Sequence, residues 1–174
     1  MINTERLILR KHTLDDLDSL FQLASDPAVL QFLHSAPPTR EEAWNRLLRY
    51  AGHWSLQGFG MFAVIERATN QFIGEVGLAD FGRGLGDDFD GAAEAAWVFK
   101  GDSHGKGFAL EAMTAALDWF DEQALSSRSV CIIDPLNTAS IRLAEKLGFS
   151  NYGQGHYKGS CLVSCDHIPR RSWP

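Results

Sequence analysis

The sequence predicts one α/β (α+β) domain, a mostly antiparallel sheet flanked by helices, and three observations carry that expectation. Across residues 92–148 a strand, a glycine loop, a helix, a second strand and a second helix follow one another, which makes an alternating α/β centre. Strand-like runs at 61–65 and 72–78 form a hairpin before it, and 149–167 form another after it, so the frame is antiparallel. With 174 residues, 45% of them hydrophobic and 22% charged, the chain suits one core over 1–174, with no linker or repeat to divide it.

Taken in order, Leu7 and Leu9 alternate with Arg6, Ile8 and Arg10 in a short strand. Thr13 and Asp16 have the S/T-x-x-D spacing of a helix start, which predicts a helix over 14–25 that Asp26-Pro27 breaks. Pro37-Pro38-Thr39 introduces a second helix, in which Ala43, Leu47, Leu48, Tyr50, Ala51 and Trp54 supply apolar contacts before Gly58 and Gly60 end it. Trp44, Phe32 and Phe62 are read as mostly core, and Ala68-Thr69-Asn70-Gln71 turns the first hairpin. Residues 82–91 hold four glycines with Asp87, Asp88 and Asp90, a composition that predicts a solvated, mobile loop.

The strand at 92–99 comes next. In the helix after it, Phe108, Ala109, Ala112, Met113, Ala116, Leu117 and Phe120 recur at three and four residue steps, so one face must lie on a sheet. A short strand at 130–133 closes at Asp134-Pro135. Asn137 then caps a helix whose Ile141, Leu143, Ala144 and Leu147 point to the core and which stops at Gly148. The final hairpin turns near Lys158-Gly159.

A net charge of −6 argues against broad nucleic-acid or anionic-membrane binding and favours a cationic partner. No run approaches the roughly 18 apolar residues of a membrane helix, and residues 1–10 lack the order of a signal peptide, which together read as a soluble cytoplasmic protein. Three cysteines do not suggest a disulfide framework, and Cys131 reads as a buried strand residue. Cys161, Cys165 and His167, with His156, lack a compact ligand pair and read as strand residues, so no metal is expected.

The chemistry concentrates in residues 101–112, GDSHGKGFALEA. Gly105 and Gly107 leave backbone amides unshielded at a helix start, where unpaired N–H groups and the positive dipole end face one point, a seat for a phosphate group. A Walker loop is excluded because Lys106 is followed by Gly107, and the dinucleotide fingerprint fails at Leu110, where a third small residue belongs.

The run His104-Gly105-Lys106-Gly107-Phe108-Ala109 instead resembles the Q/R-x-x-G-x-G/A pyrophosphate loop of the GNAT superfamily of acyl-CoA N-acyltransferases, with His104 in place of Gln or Arg. Asn137-Thr138-Ala139-Ser140 and the stretch from Leu143 to Phe149 resemble the family's N-x-x-S-x-x-L-x-E-K-x-G-F run. The likeness is to the RimJ/RimL-like branch and covers nearly the whole chain.

The resemblance implies the GNAT fold, a twisted, mixed, mostly antiparallel sheet with a splayed pair of central strands. It implies acetyl-CoA as cofactor, contacted by Trp97, Val98 and Phe99 on the strand, by His104 to Ala109 in the loop, and by Asn137 and Ser140. It also implies direct attack of a primary amine on the thioester, which needs a base for the nitrogen and a proton for the thiolate. Glu94, in a run resembling A-E-I-G-Y, is the candidate base, with Glu75, Asp80 and His104 as alternatives. Many GNAT enzymes carry a Tyr where this chain has Ala144, which leaves Ser140 or water as the acid, with Tyr152 and Tyr157 as further hydroxyls. The acceptor stands open between a protein N-terminus and a small-molecule amine, and the assembly between monomer and homodimer. Glu94 beside Asp87, Asp88 and Asp90 predicts an acidic acceptor side. The rival expectation is a noncatalytic acyl-CoA-binding regulator, motivated by His104 and Ala144.

Overall fold

The computed structural model describes residues 1–32, 36–123, 125–157 and 160–167. Its strands are β1 (Ile2–Asn3), β2 (Leu7–Lys11), β3 (Met61–Glu66), β4 (Gln71–Ala79), β5 (Ala93–Phe99), β6 (Ser129–Ile133), β7 (Ser150–Tyr157) and β8 (Ser160–His167). The helices are α1 (Leu17–Ala24), α2 (Pro27–Leu30), α3 (Arg40–Leu56), α4 (Phe108–Glu122) and α5 (Thr138–Lys146), with 3-10 turns at Leu14–Asp16 and Gly101–Ser103.

All described strands belong to one sheet, in the order β1-β2-β3-β4-β5-β6-β8-β7. Every pairing is antiparallel except β5 with β6, which run parallel and pair only at Ala93↔Ser129 and Glu94↔Val130. Beyond those two residues the central strands part, which is the splay that the resemblance implied. The opening lies toward the C-terminal ends of β5 and β6, where the strand-to-helix loops emerge.

The apolar stripe of α4 works as its spacing requires. Phe108, Ala112, Met113, Ala116, Leu117 and Phe120 are buried against Leu7, Leu9, Phe62, Val64, Val76 and Leu78 of the sheet, and Ala144 of α5 joins the same core. On the opposite face, α1 and α3 bury Leu20, Leu47 and Tyr50 against Met61. Thr39 caps α3 reciprocally: its hydroxyl accepts the Glu42 N–H at 3.2 Å, and its own N–H reaches the Glu42 carboxylate at 2.6 Å. Gly148 ends α5 as its position suggested, with the Phe149 N–H turned back to the Ala144 carbonyl.

Several expectations need correction. The first helix opens as a 3-10 turn before it becomes α-helical at Leu17. Leu48 and Ala51 point to solvent and Trp44 is exposed, because α3 buries only one stripe and its other apolar residues fall outside it. Loop 82–91 is not simply solvated: Phe89 is 6% exposed, and the Asp90 carboxylate accepts the Leu85 and Gly86 N–H groups at 3.2 and 2.8 Å. The final turn at Lys158-Gly159 lies outside the described residues. Cys131 is buried, opposite Cys165 across β6 and β8. No helix among the described residues is long and apolar enough to cross a membrane.

Candidate active site

The chain leaves β5 through the turn at Gly101–Ser103, which is tied down by Asp26: its carboxylate accepts the Gly101 N–H at 2.8 Å while also capping α2 through the Ala28 N–H at 2.8 Å. Gly105 and Gly107 then adopt φ of +74° and +79°, left-handed values that a side chain resists, and α4 begins at Phe108. A Cβ on Gly105 would meet no atom within 4 Å. Among the described residues the amides of 105–110 find no acceptor, and the Glu111 N–H bonds the Gly107 carbonyl at 3.1 Å. Open glycine backbone and unpaired donors at the start of a 15-residue helix fit a diphosphate ester.

Arg6 secures this loop from across the sheet. Its guanidinium lies 4.6 Å from the centroid of the Phe108 ring, donates to the Lys106 carbonyl at 2.8 Å and pairs with the Glu111 carboxylate at 2.7 Å. The Thr4 hydroxyl donates to Glu111 as well, at 2.6 Å. Burial pushes the Glu111 carboxyl up, but these donors outweigh it and hold the group below its ordinary value. Glu111 therefore stays an anion that fixes Arg6, and Arg6 fixes the loop.

The other residues expected at the cofactor differ in what they can offer. Phe99 and Phe108 are buried in the core, so only their backbones face outward, and the His104 ring is held by the Phe99 carbonyl, with Nε2 at 2.9 Å. Lys106 is exposed, and Val98 and Ala109 are half-buried. Trp97 spans the splay: its indole N–H donates to the Ser140 hydroxyl at 3.1 Å, which ties β5 to the first turn of α5. Asn137 caps that turn, its side-chain carbonyl accepting the Ser140 N–H at 3.1 Å. The structure thus brings Trp97, Asn137 and Ser140 together on one side of the splay and the residues of 104–109 at the head of α4.

Glu94 sits where β5 and β6 still pair, on the sheet face opposite α4. It is 3% exposed, and both carboxylate oxygens are taken by Arg83, whose Nε and Nη2 donate at 2.5 and 2.6 Å. Burial raises the Glu94 carboxyl, and although Arg83 pulls it back, the group stays above its ordinary value. The other carboxylates considered are committed elsewhere. Glu75 is fully buried and accepts the Tyr50 hydroxyl at 2.9 Å and a guanidinium N–H from Arg46, with His12 Nε2 at 3.7 Å from its second oxygen. Asp80 is exposed and accepts the Gly82 N–H at 2.8 Å.

A groove of about 310 Å³ runs between loop 82–91 and the β7–β8 hairpin, lined by Leu85, Asp88, Phe89, Ile132, Tyr152 and Tyr157 among others. Half of the expected acidity of this side is spent internally, since Asp90 closes its own loop and Glu94 is paired, while Asp87 and Asp88 are exposed. The Asp88 carbonyl accepts from Arg128 at 2.8 Å and from the Tyr152 hydroxyl at 3.3 Å, so the loop is pinned across the groove.

Sequence reasoning passed over Arg83, Arg6, Arg46 and His12. For Arg83 one signal was present, a lone cation between Gly82 and Gly84 in an acidic loop. Nothing in the sequence pairs Arg6 with Glu111 or His12 with Glu75, because each partner lies far along the chain.

The profile of the acetyltransferase (GNAT) domain matches residues 6–150. The chain is 32% identical over 151 residues to the uncharacterized N-acetyltransferase p20 of Bacillus licheniformis, covering 86% of this chain and 82% of that protein. Its fold superimposes on the structure of a putative GnaT-family acetyltransferase from Bordetella pertussis with a TM-score of 0.86, at 30% identity and covering 96% and 98% of the two chains. The spermidine N-acetyltransferase of Vibrio cholerae, solved in complex with CoA and spermine, shares the fold at a TM-score of 0.74, with 19% identity over 95% and 96% of the two chains. Matched over most of its length by both profile and relatives, the chain belongs to the GNAT acetyltransferase family.

Proposed function

We propose that this chain is a single-domain, RimJ/RimL-like N-acetyltransferase that transfers an acetyl group from acetyl-CoA to a primary amine, either a protein N-terminal α-amine or a small-molecule amine. The observation that carries the reading is the head of α4, where two left-handed glycines and unpaired amides lie beside a splayed strand pair in a chain of this family. The CoA-bound Vibrio cholerae relative supports the cofactor.

In this reading the amides from Gly105 to Ala109 hold the pyrophosphate, with His104 and Lys106 beside it. Trp97, Val98 and Phe99 present the β5 backbone, and Asn137 and Ser140 position the thioester end. Acetyl-CoA supplies the activated acyl group. Glu94 takes the proton from the amine, and its raised carboxyl value suits that task. Ser140 stands in for the tyrosine replaced by Ala144: its oxygen accepts from the Trp97 indole, which leaves its own O–H proton to be donated.

Release of free thiol from acetyl-CoA, measured across a panel of N-terminal peptides and small amines, tests the reading. Turnover on any member supports it. Tight coenzyme A binding with no turnover on any acceptor would favour the noncatalytic regulator instead.

Ser140→Ala should lower kcat by about 100-fold, the lower end of what general acids contribute. Stability should change little, because the Asn137 cap acts through the Ser140 backbone. Wild-type kcat in this variant would remove Ser140 from both acid and positioning roles.

A further inference from the structure

The Arg83 guanidinium is held on three sides. Its Cζ lies 5.1 Å from the Phe81 ring centroid and 4.8 Å from that of Tyr157, and its N–H groups meet both oxygens of buried Glu94. Two aromatic faces and a desolvated carboxylate are the chemistry that recognises an organic cation. The hollow lined by Phe81, Arg83, Phe89 and Glu94 has no room for a water molecule while the arginine is seated.

Its attachment differs from that of a structural arginine on a helix or strand. Arg83 stands between Gly82 and Gly84, at φ of +59° and +69°, and a Cβ on either glycine would meet nothing within 4 Å. Those two residues can swing the side chain out without disturbing packing. Tyr157 and Gly84 also line the open groove of about 310 Å³, so the cage borders a way in.

We propose that Phe81, Tyr157 and Glu94 form a subsite for the primary ammonium group of an acceptor, and that Arg83 is its intramolecular occupant, displaced when the acceptor enters from the groove. The proposal rests on the reading of this chain as an amine acetyltransferase and deepens it, by naming a cationic acceptor and the residue that competes with it. An occupant tethered in place lowers apparent affinity by the fraction of time the cage is free. A neutral acceptor has nothing to gain from Glu94 and leaves Arg83 seated.

The test is calorimetric titration of the full chain, with excess coenzyme A, using 1,4-diaminobutane as probe and 1,4-butanediol as its neutral counterpart. Arg83→Ala should bind the diamine about tenfold more tightly than the parent, with no gain for the diol, and adding Glu94→Gln should abolish the gain. Should Arg83→Ala not fold, Arg83→Gln keeps a donor for Glu94 without the charge and is expected to shift the diamine in the same direction. Unchanged or weaker diamine binding in the folded variant overturns the proposal. Thiol release on the diamine with the same KM in parent and Arg83→Ala would sink the cage and leave acetyl transfer standing. Tighter diamine binding without turnover on any amine would do the reverse.

Discussion

Gly107→Val should cost roughly 100-fold in coenzyme A affinity, the loss expected when one or two charge-assisted hydrogen bonds of about 1.5–3 kcal/mol each are broken. Gly107 lies at φ +79°, so a β-branched side chain there must either bear left-handed strain or turn the peptide away. Turning it re-aims the amides that open α4. A Cβ at this position meets only the Arg6 guanidinium, at 3.4 Å, so the strain falls on the exposed loop rather than on the core. Thermal unfolding should therefore shift modestly while calorimetric affinity collapses. Gly105→Ala is the companion variant: its Cβ meets no protein atom, so any loss of affinity beyond backbone strain comes from the ligand side. A folded Gly107→Val protein with the parent's affinity would remove the α4 head from the binding site.

The parts of this molecule that the sequence reveals are those whose cause is local. The stripe of α4 is legible because six residues at helical spacing all meet the sheet, and the Asn137 cap because its partner lies three residues away. The glycine loop is legible for the same reason: left-handed backbone before a helix needs those residues in that order. Leu48 and Ala51 mislead because α3 is apolar around more of its circumference than its neighbours cover. Loop 82–91 misleads differently. Its composition reports glycine and aspartate, but its conformation follows from one phenylalanine that finds the core and one arginine that finds Glu94. Such pairings depend on how the chain returns to itself, as with His12 and Glu75, and no spacing rule encodes them.

Glu94→Gln should lower kcat by about 10²- to 10⁴-fold, the range for losing a positioned base, and should remove the acidic limb of the kcat/KM profile. The sign follows from the group's surroundings. As a base the carboxyl works only when ionised, so activity rises with pH as its proton leaves. Burial raises the pH at which that happens, Arg83 lowers it by hydrogen bond and charge, Asp80 raises it and Arg49 lowers it, with the balance above the ordinary value. The parent's kcat/KM, which reports the free enzyme, should thus climb through a pH above the carboxyl's ordinary value before levelling. Glutamine keeps the side chain's size and can accept one N–H from Arg83, so the variant should fold, at a cost of about 1–3 kcal/mol for the weakened pairing. Coenzyme A affinity should not change, because the cofactor contacts lie at the far end of β5, from Trp97 to Phe99, on the loop and on α5. Retention of both rate and acidic limb would show that proton removal is carried out by another group or by water, and would leave Glu94 no part in it.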